Sequence, residues 1–207
     1  MNFFGHAVVA SWTDREPAFV FGAMLPDFQT MLRTQSELSR SPRVAEGVAH
    51  HHRTDADFHA RAAFIELVAT GVGELRRAGV ARGAARAAAH IGVELLLDRE
   101  LSRDSDAAAA YLRALAHAPE LAEPTLEGTR LCALASALLA RGVSDEHTTG
   151  ASIASRIAHA LRGRPRLALS AAELAPIAAW AEATRGAVRA RAAELTGAVL
   201  GEKSAYV

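Results

Sequence analysis

Residues 48–59, VAHHHRTDADFH, hold four of the chain's nine histidines and two aspartates. The stretch lies well inside the chain, and its spacing is helical. At about 100° per residue, with His51 at 0°, Asp55 falls at ~40°, His59 at ~80° and His52 at ~100°. Side chains four apart are neighbours on a helix, so His51, Asp55 and His59 form a ladder. Val44, Val48, Phe58 and Ala62 fall in or beside the same arc, whereas Arg53 lies far round the helix. The ladder therefore points toward a core, and His50 reads as a solvated neighbour. Burying imidazoles and a carboxylate without partners is costly, and a divalent cation is an economical way to satisfy them.

The stretch 81–101 repeats the device. His90, Glu94 and Asp98 are again spaced by four, flanked by Ala87, Ile91, Leu97 and Leu101. Two such helices packed face to face build an inward-projecting metal site of the kind found in helical bundles. Mixed imidazole and carboxylate ligands suit manganese, iron or zinc better than calcium. His6, in MNFFGHAVVA, and Asp27, in GAMLPDF, are further candidates to close the site. The plainer readings are a core histidine for His6 and an N-cap of FQTMLR for Asp27. For Glu94 and Asp98 they are ion pairs with arginines, and for His52 and His59 surface positions. His117, His147 and His159 lack this pattern and read as surface or core residues.

The rest of the chain is consistent with that reading. Half of the 207 residues are hydrophobic, 22% are charged, and the net charge is zero. This length supports one domain with a sizeable core. The charge balance argues against a nucleic-acid binder. A single cysteine, Cys132, excludes an intrachain disulfide; in its apolar run it reads as a buried, inert thiol, and a cytoplasmic setting fits. No signal-peptide pattern opens the sequence, and no apolar run is long enough to span a bilayer. Alanine, leucine and arginine dominate, which favours helix. The expectation is an all-α, single-domain bundle of about seven to nine helices over residues 1–207. Helices are expected at 3–12, 17–24 and just after it, 42–77 with a break at Gly71–Gly73, 81–101, 106–117, 126–141, 147–162 and from Ser170 to Leu200. Pro17 and Pro42 stand at tolerated first-turn positions, and Ser170-x-x-Glu173 forms a capping box.

The motifs MNFFGHAVVA, FGAMLPDF, GVAHHHRTD, GVELLLDREL and RGRPRL, in this order, resemble the acyl carrier protein phosphodiesterase family. That family is helical and related to HD-domain metal-dependent phosphohydrolases. The match runs through Asn2, Phe3 and His6; Gly22, Asp27 and Phe28; Gly47, Val48, His51 and Asp55; Glu94 and Asp98; and Arg164 to Leu167. The chain departs from the family at His52, His59 and Arg99, and His90 has no counterpart in it. The resemblance implies an HD-like fold and hydrolysis of the phosphodiester that links phosphopantetheine to a carrier-protein serine. It implies a divalent metal, manganese above all, held by His6, Asp27, His51, Asp55 and Glu94 or Asp98, with His90 added from its place in the ladder. His52 or His59 would protonate the leaving group. Carrier proteins are acidic, so Arg162, Arg164 and Arg166 are candidates for docking one; their plainer reading is a solvated helix end. Two other readings stand beside this one: an HD-like hydrolase of another small phosphate ester or nucleotide, and a non-catalytic helical binding protein with a structural or vestigial metal site.

Overall fold

A computed structural model describes residues 1–143 and 149–197. Among them it contains eleven helices and no strand, so the expected all-α class holds. Contacts divide the chain into two compact units, Met1–Asp57 with Leu101–Ser144, and Phe58–Glu100 with Asp145–Val207.

The first unit begins with α1 (Phe3–Thr13) and α2 (Pro17–Leu32). The Asn2 side chain accepts from the Phe4 N–H, and Glu16 accepts from Ala18 and Phe19, satisfying donors that a helix start leaves open. The expected helix at 17–24 and its successor are one continuous helix. Pro26 sits inside it and removes a helical hydrogen bond, an interior cost of about 3 kcal/mol. Phe21, Met24, Leu25 and Phe28 are all buried along this helix, and at roughly 1.5–3 kcal/mol each their burial outweighs the proline. Most of α3 (Pro42–Ala60) follows, then α6 (Ser105–Ala116), α7 (Ala118–Leu121) and α8 (Leu126–Arg141). α6 packs on both α1 and α2, and α8 on α2 and α6. Tyr111 of α6 meets Phe4 edge-on at 5.1 Å. Cys132 is half-buried rather than buried, with Sγ 3.8 Å from the Ala118 carbonyl oxygen.

The second unit holds α4 (Ala62–Arg77), α5 (Arg82–Leu101, except its last residue), α9 (Gly150–Leu161), α10 (Ala171–Ala190) and α11 (Ala192–Thr196). The break expected at Gly71–Gly73 lies instead at Arg61, whose backbone is extended (φ −69°, ψ 135°). Gly71 stays helical because its missing side chain is needed elsewhere. A Cβ there would lie 2.8 Å from Trp180 of α10, and one at Gly92 of α5 would clash with the same indole. The Trp180 ring thus occupies space on α4 and α5 that only glycine leaves free. The capping box at Ser170 is present. The Glu173 carboxylate accepts from the Ser170 N–H at 2.8 Å and from the Ala81 N–H, just before α5, at 2.9 Å. Helix α9 starts at Gly150, and His147 and positions 198–200 of the expected last helix lie outside the described residues.

Candidate metal centres

The histidines and carboxylates form two groups, one in each unit. In the first unit His6, Asp27 and His51 offer ligand atoms that all lie within 4.8 Å of one another. Each residue comes from a different helix, and the approach of α2 to α3 is what joins two of them. A Cβ on Gly47 would lie 2.8 Å from Gly22 Cα and 2.9 Å from the Ala23 nitrogen. The two backbones therefore touch through glycines. One turn beyond Gly47 on α3, the His51 Nδ1–H donates to the Ala23 carbonyl at 2.8 Å. A carbonyl only accepts, so the proton is fixed on Nδ1 and Nε2 keeps its lone pair for a ligand.

His6 is 1% exposed and His51 7%, and their rings lie 3.8 Å apart. Burial, and then the neighbouring His6, hold the His51 imidazole down at about 4, so it is neutral and able to ligate at pH 7. His6 Nε2 lies 3.2 Å from Asp55 Oδ1. The same oxygen accepts from the Met1 ammonium at 2.8 Å. Asp55 thus engages His6 rather than joining the group of three. Thr54 anchors its hydroxyl on the His50 carbonyl and comes within 3.5 Å of His6 Nδ1. His52 is exposed, its ring edge-on to His51 at 5.3 Å. His50 is buried, not solvated. It packs 5.3 Å from the Phe19 ring, and burial first, then Arg53 and His6, lower its pKa. An angular reading of one helix missed this because α2 and α3 pack close enough to cover a wider arc.

In the second unit His59, His90 and Glu94 form the other group. His59 Nε2 lies 3.2 Å from His90 Nε2 and 3.3 Å from Glu94 Oε1. His90 Nε2 lies 3.2 Å from the same oxygen. Glu94 is the most enclosed, its side chain 11% exposed, against 30% for His59 and 42% for His90. Burial raises the Glu94 pKa, but hydrogen bonds from His59 and His90 hold it down at about 2. The Phe64 ring stands edge-on to both imidazoles, 4.9 Å from His59 and 5.0 Å from His90. Asp98, one turn beyond Glu94 on α5, is buried and belongs to neither group.

Arg162, Arg164 and Arg166 follow α9 and are all exposed. His117 bonds its own helix through the Arg113 carbonyl at 2.9 Å, and His159 is exposed. Sequence reasoning passed over the backbone partner Ala23 and the wall residue Phe64. The first could have been signalled by glycines placed inside helical patterns at 22 and 47. Among the described residues no helix is long and apolar enough to cross a membrane. No protein-family model, curated protein or solved structure matches the chain.

Proposed function

We propose that this chain is a cytoplasmic, metal-dependent phosphodiester hydrolase that removes phosphopantetheine from an acidic carrier protein. The observation that carries the reading is the meeting of His6, Asp27 and His51 from three helices, with His51 fixed in its ligating tautomer by the Ala23 carbonyl. The donor set of two imidazoles and one carboxylate fits a first-row divalent ion, manganese by the family resemblance, with iron or zinc as the other candidates. His6, Asp27 and His51 would hold such an ion, which would supply polarisation of phosphoryl oxygens and activation of water at neutral pH. The chain's own residues do the rest. Asp55 holds the His6 ring through its Nε2. In the reaction, water oxygen bonds to phosphorus, the bond from phosphorus to the carrier serine oxygen breaks, and the serine leaves with a proton. His52, exposed beside His51, is the residue we assign to give that proton. His59 is engaged with His90 and Glu94, which leaves the role to His52. Arg162, Arg164 and Arg166 supply a basic surface for the acidic carrier.

The test is metal analysis of the purified protein together with release of phosphopantetheine from holo carrier protein. Release by the wild type, reduced on the order of 100-fold or more in Asp27→Asn and His51→Gln, is the expected result. Metal binding without release, but with hydrolysis of bis(p-nitrophenyl) phosphate, would move the substrate to a small phosphodiester. Metal binding with neither activity would favour the binding-protein reading, which the near-complete burial of His6 and His51 also supports.

A further inference from the structure

Three ligand atoms in the second unit stand at the corners of a nearly equilateral triangle. The sides are 3.2 Å between the His59 and His90 Nε2 atoms, 3.3 Å from His59 to Glu94 Oε1, and 3.2 Å from His90 to Glu94 Oε1. Hydrogen bonds close at most two sides of such a triangle. An imidazole nitrogen carries either a proton or a lone pair in its ring plane, never both. If both nitrogens are protonated, both donate to the carboxylate and two N–H groups confront each other. If one is bare, it has no proton for the carboxylate, and two lone pairs confront each other instead. In every protonation state at most two of the three sides are bonded.

A cation satisfies all three corners at once. The edge of a tetrahedron is about 1.6 times its centre-to-corner distance, so zinc bonds of about 2.0–2.1 Å imply ligand atoms ~3.3 Å apart. The observed sides match that edge. We propose that His59, His90 and Glu94 form a tetrahedral site for a zinc-class divalent ion, with its fourth position open.

The surroundings suit this assignment. Glu94 supplies one negative charge from an enclosed position, and the half-exposed imidazoles leave an approach for water or an anion. Phe64 wedges edge-on against both rings, and the imidazoles are stacked 18° from parallel. The rings are therefore held in place by packing before any ion arrives, which lowers the cost of binding. Two imidazoles, one carboxylate and an open fourth position make a donor set that zinc uses in catalytic sites. His59 and His90 are positions where the chain departs from the family it resembles, so this site does not depend on the phosphodiesterase reading.

The site is tested with zinc and cobalt(II) on chelator-stripped full-length protein, with helicity checked by circular dichroism. The expected result is one zinc ion fewer per chain, or zinc affinity at that site weakened about 100-fold or more, in His90→Gln relative to wild type. Cobalt(II) should give the intense visible bands of tetrahedral coordination in wild type and in His51→Gln, which disables the other group, and adding His90→Gln or Glu94→Gln to His51→Gln should abolish them. His90 is half-exposed, so its substitution leaves the fold in place even if Glu94→Gln does not fold. Wild-type zinc stoichiometry and affinity in His90→Gln, or only the weak spectrum of octahedral cobalt in wild type, would overturn the proposal. Neither readout involves hydrolysis, so failure of the phosphodiesterase reading leaves the result intact.

Discussion

His51 shows how much one side chain can be asked to do. It is buried, its ring lies 3.8 Å from that of His6 at a 30° tilt, and it gives its only proton to a backbone carbonyl. Burial and the His6 ring hold its pKa at about 4, below the ordinary histidine value of about 6.5. The unfolded chain therefore binds a proton that the folded chain refuses. Stability contributed by the neutral ring is present above about pH 6.5 and is lost as the pH falls toward 4. In chelated protein, urea denaturation should show stability dropping over that window, and His51→Gln should flatten the drop. An unchanged slope in the variant would assign the acid sensitivity to other groups. Spacing alone placed His51, Asp55, Glu94 and His90 among candidate ligands, because period and residue type are local properties. It did not separate Asp55, which grips His6, from Asp27, which joins it. That distinction depends on the approach of α2 to α3, set by two glycines far apart in sequence.

At the scale of elements, glycines again decide what is possible. Trp180 fits against α4 and α5 only because Gly71 and Gly92 have no side chains. Gly92→Ala would drive a methyl group into the indole and should destabilise the protein by about 1–3 kcal/mol. Trp180→Phe removes the atoms that the methyl would strike, so the double variant should lose less than the sum of the singles. Strict additivity in a denaturation cycle would exclude that contact as the source. The same packing explains why the expected break at Gly71–Gly73 was misplaced. In the sequence a glycine pair reads as a helix stop, whereas here Gly71 is a helical contact and the chain turns at Arg61, which carries no breaker signal. Pro26 taught the opposite lesson. The helices expected at 17–24 and just after it are one helix that runs through Pro26, with buried aromatics on both sides keeping α2 whole. Helix type was legible almost everywhere from alanine and leucine content. The boundaries that failed were those where tertiary burial overruled a local preference.

Across the whole chain, each unit is assembled from two separated stretches of sequence. Periodicity carries no information about which stretches share a unit, and so this division was not legible in advance. Helices α1 and α2 rely on α6 and α8 for cover. A variant lacking residues 101–143 should therefore expose their apolar faces. With Trp180→Phe leaving Trp12 as the reporter, its fluorescence should shift to longer wavelength, since Trp12 also loses its hydrogen bond to Asp104, 3.0 Å long in the intact chain. An unshifted emission would show that the first segment folds without its later partners. The same connectivity bears on how the protein is made. Translation delivers His6, Asp27 and His51 within the first quarter of the chain, but the helices that roof α1 and α2 leave the ribosome only after residue 101. The nascent polypeptide therefore exposes His6, Asp27 and His51 to the cell before α6 and α8 exist to cover α1 and α2.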